Sequence, residues 1–259
     1  TEMTNELFEI DLYGFTLIKN VLEKNTVNNL KVLNHKYLNT HGENQKKASF
    51  RNYDTMDRKN NTTKLIPNLP SIDPEYFFLI DHPRILPILE KIMGNEIILG
   101  SLTSRIVRPN DTAQKLHSDI PSRLHRNSFP VMMNTMWILD DFKVDNGATI
   151  IIPGSHKMDI DKLNPNAPLP HLTYRVIAPS GSVLIFNGQC WHGSGANRTD
   201  QDRHAIFGHY RINDWMLFQL DPTKNFPKKW VKLLNKRQKE LMRMTNGINS
   251  PISDDTSIN

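Results

Sequence analysis

The chain has 259 residues, 38% of them hydrophobic and 23% charged, with a formal net charge of +5. That length supports a large domain with a sizeable core, and that balance excludes an intrinsically disordered chain. No apolar run has the roughly 20 residues a membrane-crossing helix needs, and a single cysteine, Cys190, excludes an internal disulfide.

The opening stretch, TEMTNELFEIDLYGF, is acidic and lacks the basic-then-apolar layout of a secretory signal; with the lone cysteine it points to a cytoplasmic protein. YGFTLI (13–18) reads as a short strand, and the segment after it places Val27, Leu30, Leu33 and Tyr37 at helical spacing. Residues 39–71 are polar and irregular, which leaves open a lid over a pocket or an ordered surface excursion. PRILPILEKIMG (83–94) predicts a helix with Gly94 at its C-cap. From about 96 to 212 the texture changes to short apolar or alternating runs: EIILGSL, SRIVR, VMMNTMWIL, ATIIIP, LTYRVI, SVLIF and RHAIFGHYRI. Turn formers such as RPND, VDNG, PGSH and APSG separate them, which predicts an all-β sandwich or barrel and not a βαβ sheet. Late in the chain, Trp230, Leu233, Leu234 and Leu241 predict a basic helix over about 228–244, its lysines and arginines forming a solvated face. The expectation is one domain over 1–259, mainly β, with helices on its amino-terminal side and one carboxy-terminal helix.

The chemistry-bearing stretch is QKLHSD (114–119). His117 and Asp119 stand at i and i+2, so in extended backbone both side chains point to one face and can reach one ion. Two ligands hold a metal poorly. A third is offered by His192, in a Gly-rich bend that follows the apolar run SVLIF. Two imidazoles and one carboxylate on one side of a metal leave positions open, the arrangement of non-haem Fe(II) oxygenases, whereas zinc favours a closed tetrahedral site. Such enzymes take 2-oxoglutarate, whose far carboxylate suits an arginine fork. Arg203 begins the run RHAIFGHYRI eleven residues after His192 (203 − 192 = 11) and is favoured over Arg198 and Arg211. His204 and His209 share that run with opposite parity, so at most one faces a pocket; His209 is the reserve ligand.

QKLHSD, MNTMWILDDFKVDNGATIIIPGSHK and IFNGQCWHGSGANRTDQDR, in this order, resemble the phytanoyl-CoA dioxygenase family of Fe(II)/2-oxoglutarate-dependent oxygenases. The resemblance covers roughly residues 96–212, and 13–38 is also family-like. It implies a double-stranded β-helix, a cupin-like jelly roll holding the metal on its inner face, and it implies Fe(II), 2-oxoglutarate and O2. It gives His117, Asp119 and His192 as iron ligands and Arg203 as the 2-oxoglutarate clamp, with Gln114, Thr149 and Asn134 as further co-substrate contacts. The retained carboxylate of Asp119 argues against halogenation, in which that position is small.

The expected reaction is oxidation of a C–H bond in a small anionic metabolite by hydroxylation, desaturation or ring closure, with Arg105 or Arg108 as the anion's partner. An acyl group tethered to coenzyme A or a carrier is the alternative, as is a non-catalytic cupin-like protein that binds a metal or ligand. No nucleic-acid motif accompanies the basic charge, so neither a nucleic acid nor a membrane is expected as partner; monomer and homodimer both stay open.

Overall fold

MMNTMWI (Met132–Ile138) is buried at every position, the mark of a strand covered on both faces. The computed structural model, which describes residues 2–45, 62–120, 129–158, 172–212 and 222–244, shows what covers it. In chain order the elements are α1 (Glu2–Tyr13), β1 (Phe15–Ile18), α2 (Lys24–His41), β2 (Glu43–Asn44), β3 (Lys64–Ile66), α3 (Leu86–Met93) and β4 (Ile97–Val107). There follow β5 (Met132–Ile138), β6 (Thr149–Ile151), β7 (Tyr174–Arg175), β8 (Val183–Asn187), β9 (His192–Ser194), β10 (Arg203–Ile212) and α4 (Lys236–Leu241). A seven-stranded sheet runs β1-β8-β5-β10-β4-β3-β2 and faces a three-stranded sheet, β7-β6-β9; every described pairing is antiparallel. This is the expected jelly roll.

The large sheet divides its residues by parity. Met133 and Trp137 of β5, Val183 and Ile185 of β8 and Ile206 and Tyr210 of β10 point outward. There they meet Val27, Leu30 and Leu33 of α2 and Leu86, Ile88 and Leu89 of α3 in the main core. Met136, Ile138, Leu184, Phe186 and Ala205 point inward and pack with Ala148 and Ile151 beneath the small sheet. Strand β4 keeps this division only through a bulge. His209 lies opposite Ser101 and Tyr210 opposite Leu99, so Gly100 has no counterpart on β10. Ile97 and Leu99 before the bulge and Leu102 and Ile106 after it therefore all face the helices. Ser101, Thr103 and Arg105 line the interior.

Four expectations are adjusted. EIILGSL and SRIVR form one strand of 11 residues, because the bulge joins two stretches of opposite parity. The polar segment 39–71 is not wholly irregular. It contributes the end of α2, β2, β3 and a 3-10 turn at Leu69–Ser71, while residues 46–61, the centre of the candidate lid, lie outside the described residues. The acidic start, for which no element was expected, forms α1, with Ile10 buried in the main core. Residues 228–244 do not form one helix: a 3-10 segment, Lys228–Leu233, breaks before α4, where Asn235 and Gln238 make a reciprocal capping box. Gly94 closes α3 at φ +86°, as expected. Among the described residues no helix is long and apolar enough to cross a membrane.

A buried polar link ties α2 to the back of the sheet. Asn34 Nδ2 contacts His204 Nδ1 at 3.3 Å, Tyr76 donates to Asn34 Oδ1 at 3.4 Å, and the backbone N–H of His204 donates to Asp140 Oδ2 at 2.8 Å. Burial holds the His204 imidazole neutral, its pKa pushed down to about 4 against the pull of Asp140. The unfolded chain, with an ordinary histidine near 6.5, binds more protons between those two values. The penalty is therefore absent above about pH 6.5 and grows as pH falls toward 4, by up to about 1.4 kcal/mol per unit. Denaturant titrations across this window should show stability falling with acidity, with a shallower slope in His204→Asn.

Candidate active site

Two distant stretches meet through backbone pairing. His117 and His192 form an isolated antiparallel bridge, each N–H donating to the other's carbonyl at 2.9 Å. A second bond, from the Asp119 N–H to the Gly188 carbonyl at 3.0 Å, holds the short segment against the bend that precedes β9. The bridge sets the two imidazoles side by side, ring centroids 4.5 Å apart.

Backbone carbonyls then fix the tautomers. His117 Nδ1 lies 3.0 Å from the Lys115 carbonyl and His192 Nδ1 lies 2.9 Å from the Cys190 carbonyl. A carbonyl only accepts, so Nδ1 carries the proton on both rings and each Nε2 keeps its lone pair. Both Nε2 atoms point at Asp119, 3.6 Å from Oδ1 for His117 and 3.6 Å from Oδ2 for His192. One ligand atom from each residue lies within 4.8 Å of the others. Donors bound at about 2.1 Å to one octahedral ion stand roughly 3 Å apart, so little adjustment is needed to close the set.

The charges agree with a cation between them. Burial pushes the His192 imidazole down to about 4 despite the carboxylate, so it is neutral and able to bind a metal at physiological pH. Burial alone would raise the Asp119 carboxyl, but its imidazole neighbours, His192 foremost, outweigh it and hold the group well below the usual carboxylate range.

The three residues open onto a cavity of about 370 Å³ whose other walls include Gln114, Thr149, Ser101, Thr103, Arg105 and His209. Glu43, Gln45, Leu65 and Pro67, which flank the undescribed segment 46–61, complete the rim. Gln114 and Thr149, two of the expected co-substrate contacts, are among the lining residues. Asn134 is not a lining residue: its Nδ2 donates to Asp119 Oδ2 at 2.6 Å and its Oδ1 meets His209 Nδ1 at 2.6 Å. Arg203 also lies behind the lining. Its Nη2 donates to the Gly147 carbonyl at 3.0 Å, its guanidinium stacks 4.3 Å from the Phe142 ring centroid, and Nε and Nη1 have no partner among the described residues. Arg198 is exposed, and Arg211 lies at the far end of β10.

Sequence parity allowed at most one of His204 and His209 to face the pocket; the structure puts His209 in the lining, and its contact with Asn134 depends on the β5–β10 register. Ser101 and Thr103 were missed, and the alternation of polar residues 101, 103 and 105 in β4 was the available signal. Cys190 is fully buried, donates to the Gly14 carbonyl at 3.4 Å and has its thiol pushed up to about 12, so it is inert. His156 is a structural residue whose Nε2 meets the Asp11 carbonyl at 3.0 Å.

A jelly roll with two histidines and one carboxylate converging at its mouth defines the cupin-like class of mononuclear metal sites. The family model described as phytanoyl-CoA dioxygenase (PhyH) matches residues 10–205, and the chain belongs to that family. A curated relative, dioxygenase af480 of Aspergillus fumigatus, is 28% identical over 186 residues, covering 68% of this chain and 57% of its own length. The chain spans about half the length of the curated relatives it matches. Among solved structures, the non-haem α-ketoglutarate-dependent epimerase SnoN aligns with a TM-score of 0.67 at 17% identity, covering 82% of this chain and 84% of that one. HygX of Streptomyces hygroscopicus, solved with nickel and 2-oxoglutarate, aligns with a TM-score of 0.66 at 19% identity, covering 84% and 90%. At these identities the two structures establish the fold.

Removing any of the three donors should abolish tight metal binding. His192→Ala and Asp119→Ala should each weaken Co(II) by more than about 100-fold, beyond the loss typical of an outer-sphere partner. Anaerobic Co(II) titration followed by absorbance checks this, and wild-type affinity in either variant would strike that residue from the ligand set.

Proposed function

We propose that the chain is a non-haem Fe(II)- and 2-oxoglutarate-dependent oxygenase acting on a small anionic metabolite. The observation that carries this reading is the convergence of His117, Asp119 and His192 on the wall of a cavity, with both Nε2 lone pairs turned toward one carboxylate. These three residues would hold the ferrous ion. When bound, Fe(II) and 2-oxoglutarate supply the O2 chemistry by which a substrate C–H becomes C–OH, with succinate and CO2 released; desaturation and ring closure are the variants in which that oxygen leaves as water.

The residues behind the metal site fit an anion. Arg203 is 1% exposed and Arg105 8%, and the β4–β10 register makes them diagonal neighbours on the inner face. Burial pushes the Arg203 guanidinium down to about 9, and repulsion by Arg105 adds to it; burial likewise brings Arg105 to about 10. Neither has an ion pair with a carboxylate among the described residues; Arg105 Nε has only the Gln45 side chain at 3.3 Å. Two unpaired buried cations are costly, and anionic ligands offset that cost. Arg203, with Nε and Nη1 unengaged, is the group we assign to the far carboxylate of 2-oxoglutarate, with Gln114 and Thr149 as further polar contacts. Arg105, in the cavity wall, is assigned to an anionic group of the substrate. A cavity of about 370 Å³ lies at the small end of the range for ligand sites, which supports a small metabolite over a long tethered chain.

The protein's own part is positional. The triad's tautomers are set before any metal arrives, the arginines fix where carboxylates sit, and the apolar floor of Met136 and Phe207 keeps water from part of the cavity.

The test is a metabolite panel in which succinate is measured with Fe(II), O2 and 2-oxoglutarate present. Succinate above the no-substrate level that disappears without Fe(II) is the expected result, and its absence with metal bound overturns the reading. Arg203→Ala should raise the 2-oxoglutarate concentration needed for half-maximal succinate formation by about 100-fold, the 2–3 kcal/mol of a lost charged hydrogen-bond pair, with Co(II) affinity retained. An unchanged requirement would move the assignment to another arginine.

A further inference from the structure

Asn134, fully buried in the middle of β5, makes two hydrogen bonds, and together they determine the state of His209. Asn134 Nδ2 donates to a carboxylate oxygen of Asp119. The amide atom 2.6 Å from its Oδ2 is therefore the NH2 group, which turns the amide oxygen toward His209. An amide oxygen also only accepts, so the 2.6 Å contact requires a proton on His209 Nδ1. Burial disfavours the charged imidazolium, which leaves the neutral ring protonated on Nδ1. Its Nε2 then bears a lone pair, has no hydrogen-bond partner among the described residues, and belongs to a ring that lines the cavity beside the triad.

We propose that Asn134 and His209 are positioning residues for the Asp119 ligand, and that their hydrogen-bond chain presents the bare Nε2 of His209 to the cavity as an acceptor for a hydroxyl or N–H group of the substrate. This deepens the oxygenase reading and rests on it for calling the cavity a substrate site. Asn134 occupies Oδ2 and so leaves Oδ1, which faces His117 Nε2, with its lone pairs unengaged. His209, by holding the amide oxygen, stops the Asn134 side chain from flipping and withdrawing that donor. The register supports the chain at both ends: Asn134 lies directly opposite His209 on β10 and opposite Phe186 on β8. The cavity thereby holds an acceptor at His209 and a cation at Arg105 on one face, four residues apart along the β4–β10 ladder (209 opposite 101, 205 opposite 105). A substrate with an anionic group at one end and an O–H or N–H near the oxidised carbon satisfies both.

The experiment needs no turnover. In zinc-loaded protein labelled with 15N-histidine, the resonances lost in His209→Gln identify that ring; a protonated Nδ1 and a bare Nε2 are expected, and a proton on Nε2 overturns the proposal. Co(II) titration should weaken by about 10- to 100-fold in Asn134→Leu and in His209→Leu, the range for loss of outer-sphere partners. His209→Asn should stay near wild type, because its amide nitrogen stands where Nδ1 does and can still donate to the Asn134 oxygen. Wild-type affinity in a folded His209→Leu, or equal loss in His209→Asn and His209→Leu, overturns the positioning role. If Asn134→Leu fails to fold, the His209 pair decides alone. Intact Co(II) binding and an intact hydrogen-bond chain without any succinate would remove the oxygenase reading and leave the positioning role standing.

Discussion

Everything at the candidate site depends on the backbone bridge between His117 and His192. Two reciprocal hydrogen bonds of 2.9 Å are few, yet they join segments 75 positions apart (192 − 117 = 75) and bring two rings to one side of a carboxylate. Because the neighbouring carbonyls of Lys115 and Cys190 take both Nδ1 protons, the same stretches of main chain that bring the rings together also dictate their chemistry. The Nε2 lone pairs turned toward Asp119 are thus a property of the fold.

The second constraint is electrostatic. Two arginines buried on one face without a carboxylate partner are unstable company, and the described core offers them only Phe142, the Gly147 carbonyl and the Gln45 side chain. Natural interiors tolerate such groups where a ligand completes them. The triad is a negative carboxylate waiting for a cation, and the arginines are cations waiting for carboxylates. Together the two halves support the proposed reading, a site for a metal and a diacid.

Much of this was legible in residue order, for physical reasons. A period of two places His117 and Asp119 on one face without knowledge of the fold, and a Gly-rich bend advertises space around His192. Short apolar runs separated by turn formers marked the β-core, although Asn134 and Thr135 inside Met132–Ile138 gave no sign that every position of that strand is buried. What was not legible is relational. The contact between Asn134 and His209 exists only because β5 and β10 pair in one register, and no local pattern encodes it. The break before α4 was readable: Asn235 followed by Gln238 is a helix-start signature, but the apolar spacing from Trp230 to Leu241 suggested continuity across it.

The unmatched residue Gly100 has a consequence for how this molecule can vary. Upstream of it β4 contributes odd-numbered residues to the helix-covered core; downstream it contributes even-numbered ones, and the freed odd positions become Ser101, Thr103 and Arg105 of the cavity. One ribbon therefore carries both the packing that keeps the barrel folded and the side chains that meet a ligand, and a single extra amino acid keeps those duties apart. Point replacements at 101, 103 or 105 can alter ligand preference while leaving the hydrophobic layer untouched. Loss of that extra amino acid would exchange the two inventories, so descendants of this chain are free to diversify by substitution here but not by insertion or deletion.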